Sequence, residues 1–318
     1  MNKTFPFEAH INGVNEKRLR YFYTVMMLGS IRQAADLLDI EQSAISRQIQ
    51  LFESELKVKL FERKGRSVVP TEAAYVVLEY FKEHQARENE LFDKLFQLKT
   101  TQMGKVNVVS SEGYITQLVY DVLHHVHAKY ASLEIHLELL NVNQIVRQVS
   151  DGIAHIGLAY NPPVHADLEV VAQKTEPLML AVPASHPLTQ LKRPVNLNEL
   201  QAYKIGILPV GYGFRQLLDS ELAKNQCVLG NIGLTTNSIA ALKNYVISGH
   251  GIAVMRHADI HEAVEAGLAS TLKLDSHLFN SAKTRLMVRK NSDISESTHL
   301  LIEKIQTSFG LSWSHAHA

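Results

Sequence analysis

Gln42, Ser43, Ser46, Arg47 and Gln50 fall on one side of a single predicted helix, and all five side chains can bond base edges or phosphate oxygens. On the same helix Ile45, Ile49, Phe52 and Leu56 follow steps of four, three and four, which makes a stripe to bury. Just before it, Ile31, Ala35 and Leu38 recur at helical spacing behind Ser30, a good N-cap. The pair Ala34-Ala35 keeps that first helix thin, so the second can cross it closely. Residues 31–56 therefore read as a helix-turn-helix whose second helix enters a major groove. A solvated helical hairpin would share this outline, and the next segment separates the two readings. Residues 57–71 read as two short strands around a Lys64-Gly65 turn, with Lys57, Lys59, Arg63, Lys64 and Arg66 set against Glu62. A basic hairpin directly after a recognition helix is a wing, able to place an arginine in the minor groove or on phosphates. Arg63, Lys64 and Arg66 thereby join the candidates for DNA contact.

Together the pattern Ala34-Ala35, Leu38, Gln42, Ile45-Ser46-Arg47-Gln48-Ile49, Leu60-Phe61-Glu62-Arg63 and Pro70-Thr71 resembles the winged helix-turn-helix of the LysR-type transcriptional regulators. The resemblance extends more loosely over nearly the whole chain. Carried over position by position, it implies base or phosphate contact at Gln42, Ser43, Ser46 and Arg47, and a wing arginine at Arg66. Ser43 stands where many members have proline, a residue that pre-sets the first helical turn. Its absence leaves the helix intact. The resemblance further implies tetramers, RNA polymerase as a partner, and control by a small-molecule effector.

Elements that position these residues follow along the chain. After a flexible N-terminal segment (1–14), the winged domain spans 15–70. Thr71 caps a long linker and dimerisation helix over 71–100, on which Ala74, Leu78, Phe81, Gln85, Glu88, Leu91, Leu95 and Leu98 continue in steps of three or four. A helix of about 28 residues runs roughly 42 Å, and one apolar stripe of that length wants a partner. Two-fold dimers read inverted half-sites, which a single winged helix cannot do. Residues 101–104 form a hinge.

From Lys105 the periodicity changes to alternating strands and helices. Predicted strands cover 105–109, 133–140, 155–160, 204–208, 233–235, 251–255 and 282–290. Helices are predicted up to Tyr130 and over 143–151, 214–225, 238–248 and 297–309. Such alternation predicts parallel, doubly wound sheets covered on both faces. Crossing segments near 177–183 and 275–285 divide the region into lobe 1 (105–178 and 284–310) and lobe 2 (179–283), with a tail at 311–318. The whole chain is thus α+β and multidomain: a winged helix-turn-helix, a linker helix, and a two-lobed α/β effector domain like a periplasmic binding protein, spanning 105–310. A ligand in such a fold sits between lobes, at strand C-termini and helix N-termini. Ser110, Ser111, Tyr160, Tyr212, Phe214, Arg215, Asn237 and Ser238 lie at such positions and are the candidate effector contacts. Hydroxyls and free backbone N–H groups there suit a small organic anion, and Arg215 could pair with it.

Composition sets further bounds. The 318 residues carry 32 Lys+Arg against 32 Asp+Glu, so net charge is zero. Residues 1–70 hold 11 basic and 8 acidic side chains, an excess concentrated in the wing. Cys227 is the single cysteine, which excludes an internal disulfide and predicts an inert thiol. His124, His125 and His127 have no Cys or carboxylate at a zinc spacing, so no metal is expected. Catalytic residues are not expected either, since no nucleophile elbow, phosphate loop or paired carboxylates can be identified. No cofactor other than the effector is expected. No apolar run reaches about 18 residues, and the opening MNKTFPFEAHINGVNEKRLRYF lacks the core of a secretory signal. The expected compartment is the cytoplasm, and no membrane partner is expected. Four rivals remain open at this level: a constitutive regulator without effector, an enzyme-like second half, a solute-binding second half, and an architectural protein without sequence preference.

Overall fold

Helix α1 (Glu16–Leu28) begins at Asn15, whose side chain accepts the Arg18 N–H. The computed structural model describes residues 14–64, 67–99 and 104–313, and the chain divides into two compact units, Met1–Arg87 and Glu88–Ala318. In the first unit α2 (Ile31–Leu38) starts at Ser30, whose hydroxyl accepts the Gln33 N–H at 3.3 Å. It stops at Asp39, which adopts a left-handed φ of 53°. Helix α3 (Gln42–Leu56) follows after three residues. Ala34 and Ala35 are buried where α2 meets its neighbours, and Ile45, Ile49 and Phe52 form the buried stripe of α3. Phe22 of α1 fills the centre, with its ring centroid 6.2 Å from that of Phe52 and 5.5 Å from that of Phe61.

Strands β1 (Phe61–Lys64) and β2 (Ser67–Pro70) pair antiparallel from Phe61↔Pro70 to Lys64↔Ser67. Thr71 then donates its hydroxyl to the Lys59 carbonyl at 2.7 Å and accepts the Ala74 N–H, which starts α4 (Glu72–Lys99). Ala74 and Leu78 of α4 are buried, whereas Tyr75, Val76, Tyr80, Leu91, Phe92 and Leu95 are exposed. Of the predicted stripe, then, the first part packs within this unit, while Leu91 and Leu95 are open in a single chain.

The second unit holds two sheets. In lobe 1 come β3 (Lys105–Ser110), a 3₁₀ turn at Glu112–Tyr114, α5 (Ile115–Gln117), a π-helical turn at Leu118–Leu123, α6 (His124–Lys129), β4 (Glu134–Leu139), α7 (Val142–Ser150), β5 (Ile156–Tyr160) and β6 (Leu168–Thr175). Lobe 2 contains β7 (Leu178–Pro183), β8 (Ile205–Ile207), α8 (Gly213–Lys224), β9 (Ile232–Thr235), α9 (Ile239–Ile247), β10 (Ile252–Arg256), α10 (His261–Glu265), β11 (Ala269–Lys273) and α11 (His277–Asn280). The chain returns to lobe 1 through β12 (Lys283–Arg289), α12 (Glu296–Phe309) and β13 (Ser312–Trp313). Strand orders are β13-β6-β12-β5-β3-β4 and β11-β7-β10-β8-β9.

The alternation predicts parallel, doubly wound sheets, and both sheets are mixed. Strands β3, β4 and β5 are parallel, as are β8, β9 and β10, but β12 runs antiparallel to β5 and β6, and β7 antiparallel to β10 and β11. The reason is the crossing itself. Strand β5 ends at the edge where β12 enters (Tyr160↔Thr284), and β10 ends where β7 enters (Arg256↔Leu178). A strand arriving from the other lobe must run opposite to one that finishes at the cleft. The segment predicted as tail contributes β13, which pairs with β6 at Ser312↔Gln173. Of the predicted hinge 101–104, residues 101–103 lie outside the described residues.

Glu53 ties the recognition helix to the wing. It is buried on α3, where it accepts the Lys59 ammonium at 2.7 Å and the N–H groups of Leu60 and Phe61 at 2.9 and 3.2 Å. Burial opposes its charge, but these donors outweigh burial and hold its carboxyl below the usual carboxylate range. A depressed folded-state pKa contributes stability that is present above the unfolded value and lost as pH falls through the folded one. Glu53→Gln is expected to destabilise the first unit by about 1–3 kcal/mol at neutral pH, read from hydrogen exchange of the Ile45 and Ile49 amides. The difference from the parent should vanish as pH drops through the lower end of the carboxylate range. A constant difference across that range would count against the ionic role of Glu53.

Candidate nucleic-acid interface and interlobe cleft

Helical spacing that buries Ile45, Ile49 and Phe52 turns Gln42, Ser43, Arg47 and Gln50 outward, and all four are exposed, with Ser46 half-buried between them. Gln48 is committed elsewhere, since its amide oxygen accepts Arg18 Nε at 3.0 Å, and the same arginine pairs with Glu55. These bonds fix α3 against α1 and leave the outward face uninvolved in that packing. The N-cap residue of α3, Glu41, makes no side-chain capping bond. The side chains of Arg63 and Lys64 and the whole of Arg66 lie outside the described residues.

In the second unit the lobes meet around a small cavity lined by Ser111, Glu112, Gly113, Tyr114 and Tyr160 of lobe 1 and by Leu208, Tyr212, Gly213, Phe214, Asn237, Ile239 and Arg256 of lobe 2. Its volume is ≈ 20 Å³, space for about one water molecule. Ser111, Tyr160, Tyr212, Phe214 and Asn237, all predicted from sequence, stand on this cavity. Three other predicted residues do not line it. Ser110 is fully buried in β3 and donates its hydroxyl to the Ser111 carbonyl. Arg215 is held on its own helix by Asp219, at 2.7 and 2.9 Å, and by the Leu208 carbonyl at 3.3 Å. Ser238 caps α9, accepting the Ala241 N–H, and gives its own proton to Glu112 Oε1 at 3.0 Å. The other Glu112 oxygen accepts the Ile239 N–H. A carboxylate of lobe 1 thus occupies the first turn of a lobe 2 helix, the position expected for an anion.

Arg256 is the second group that residue spacing alone did not reveal. It ends β10, is 4 % exposed, and reaches both lobes. Its guanidinium donates to Asp259, to Glu176 Oε2 at 3.2 Å and to the Gly113 carbonyl at 2.9 Å, and lies 4.1 Å from the Tyr114 ring centroid. Burial presses against its charge, but Asp259, Tyr114 and Glu176 outweigh that and hold it cationic well above the ordinary arginine range. A β-carbon on Gly113 would stand 2.7 Å from Arg256 Nη2, so glycine is what lets the guanidinium approach. Burial also pushes the Tyr114 and Tyr160 phenols far up. Both keep their protons as donors. Tyr160 gives its proton to the Glu176 carbonyl at 2.6 Å, and the Tyr114 and Thr284 hydroxyls are 2.6 Å apart, with Thr284 bonded onward to the Glu176 carboxylate. The signal available in sequence was slight: an arginine closing an apolar strand with an aspartate three residues on, and a glutamate directly after Ser110-Ser111.

Backbone contacts close the cleft further. The Val142 N–H donates to the Gly211 carbonyl at 3.2 Å, and Gln216 donates to Asn143 at 3.0 Å. The Tyr160 and Phe214 rings meet edge to face at 4.9 Å. A β-carbon on Gly213 would lie 2.2 Å from the Tyr160 carbonyl oxygen, so the two lobes touch there at a distance only glycine permits. Among the described residues no group of three or more His, Cys, Asp or Glu could hold a metal ion, and no helix is long and apolar enough to cross a membrane.

Comparison with known proteins places these features in a family. Residues 17–75 match the bacterial regulatory helix-turn-helix protein, lysR family, and residues 99–310 match the LysR substrate binding domain. A probable RuBisCO transcriptional regulator of Cyanophora paradoxa is 26% identical over 300 residues, covering 93% of this chain and 92% of that protein. The RuBisCO operon transcriptional regulator of Allochromatium vinosum is 27% identical over 265 residues, covering 82% and 86%. Among solved structures, a full-length OxyR of Pseudomonas aeruginosa shares the fold with a TM-score of 0.57 at 19% identity, covering 92% of this chain and 94% of the other. Full-length CbnR complexed with its target DNA does so with a TM-score of 0.53 at 19% identity, covering 92% and 99%. With a helix-turn-helix and an effector domain that each match the family over their length, this chain belongs to the LysR family of DNA-binding transcriptional regulators and is not an enzyme.

Proposed function

We propose that this regulator reads its promoter through Gln42, Ser43, Ser46, Arg47 and Gln50 in a major groove, with Arg63, Lys64 and Arg66 of the wing on phosphates or in the adjoining minor groove. The observation that carries this is the outward, polar face of α3 on a helix whose other face is locked into the core. Arginine and glutamine are the side chains that bond guanine and adenine edges bidentately. The uncapped first turn of α3 adds backbone N–H groups suited to a phosphate. The chain acts as a dimer through α4, whose exposed Tyr75, Val76, Tyr80, Leu91, Phe92 and Leu95 offer the apolar surface a second helix would cover. Tetramers, contact with RNA polymerase and a cytoplasmic place of action complete the reading.

The cleft between lobes is the effector site, with Ser111, Tyr160, Tyr212, Phe214 and Asn237 as its contacts and a small organic anion as effector. Bound effector would shift the balance between two degrees of lobe closure, which requires unequal affinity for the two.

Arg47→Ala is expected to weaken specific promoter binding by about 1–3 kcal/mol, measured by titration against the promoter and a scrambled duplex. Arg66→Ala should weaken both equally and lower the slope of log affinity against log salt by about one. Unchanged affinity in both variants would remove α3 and the wing from the groove. Promoter affinity measured across a broad panel of small metabolites should change for at least one; a flat response would leave a constitutive regulator.

A further inference from the structure

We infer that Glu112 is a built-in latch of the effector domain: its carboxylate bridges the two lobes and sets their closure. The inference rests on the cleft being the effector site, and it assigns that site's regulation. Glu112 lies in the 3₁₀ turn of lobe 1 that follows β3, and both its oxygens are used on lobe 2, one by the Ser238 hydroxyl and one by the Ile239 N–H. The arrangement differs from a routine cap. Ser238 already caps α9 by accepting the Ala241 N–H, so the helix has its own N-cap without Glu112. What the glutamate adds is a charge-assisted bond between elements 127 positions apart in the chain.

Three other contacts converge on the same closure. Gly113, the next residue, gives its carbonyl to Arg256, the Tyr160 carbonyl lies against Gly213, and Val142 bonds Gly211 at the far rim. The cavity these contacts leave, ≈ 20 Å³, has no room for an organic effector. Entry of one therefore requires lobe separation, and separation breaks the Glu112 bonds along with those from Arg256 to Gly113 and Glu176. An anionic effector would compete with Glu112 for the same donors. Arg256, the cation on the cavity, is already paired with Glu176 and Asp259. Release of the latch, rather than a new attraction to a cation, is how such an effector would act.

Hydrogen exchange of the full-length protein tests this. In Glu112→Ala the Ile239 amide and, at the other rim, the Val142 amide should both exchange about tenfold faster, since a bond to a charged group is lost and opening becomes easier. Amides of β5 and β10 should be unchanged. Ser238→Ala, which leaves lobe 1 intact, should produce the same pattern more weakly, and Glu112→Gln, which keeps an acceptor but no charge, should fall between. Faster exchange at Ile239 alone, with Val142 unmoved in every variant, would reduce Glu112 to a local contact and overturn the latch. The metabolite panel separates the two readings: a flat response of promoter affinity would strike the cleft as effector site while the exchange coupling of Ile239 and Val142 still stands, whereas an unmoved Val142 strikes the latch alone.

Discussion

Arg256 imposes the constraint on which the second unit is built. A guanidinium that is 4 % exposed must be neutralised by neighbours, because leaving it unpaired would cost several kcal/mol. Its partners come from four separated stretches of chain: Asp259 just after it, Glu176 on the first crossing segment, Gly113 on the turn after β3, and Thr284 indirectly through Glu176 on the second crossing strand. Satisfying one buried charge therefore fixes where both crossings sit and how the first turn of lobe 1 approaches lobe 2. Gly113 is the visible cost of that arrangement, since a side chain there would meet the guanidinium.

In the first unit the corresponding constraint is smaller and falls on one helix. α3 must be immobile on its inner face for its outer face to read anything. Arg18 holds it through Gln48 and Glu55, and Glu53 pins the start of the wing to it. Helix, wing and the start of α4 are thereby placed by hydrogen bonds as well as by the Phe22 cluster.

Periodicity made most of this legible. The helical steps of Ile45, Ile49 and Phe52 and the capping of Ser30 and Thr71 carry directly into structure, because each depends on neighbours within a few residues. Strands β6 and β11 had no such signal: Leu168–Thr175 mixes polar and apolar residues, and Ala269–Lys273 contains few of the bulky residues that mark a strand. The segment that forms β7 reads only as a crossing, and the antiparallel direction of β12 has no local signal, because direction depends on which lobe a segment comes from, which is a long-range fact. The cleft shows the same division. Ser111, Tyr160 and Asn237 were found by their places at element ends, whereas Arg215 turned out to be satisfied by Asp219 one helical turn away. Glu112 and Arg256 are not evident in the sequence because their partners across the cleft, Ser238 and Gly113, lie 126 and 143 positions away, respectively.

The crossing strands also order the assembly of the chain in time. Lobe 2 is continuous from β7 to β11, so its sheet is complete once residue 273 has been synthesised. Lobe 1 lacks the strand between β5 and β6 until β12 emerges, and until then both carry unpaired edges. On the ribosome the later lobe in sequence is thus the first able to finish, and the earlier one must wait open-edged for its missing strand.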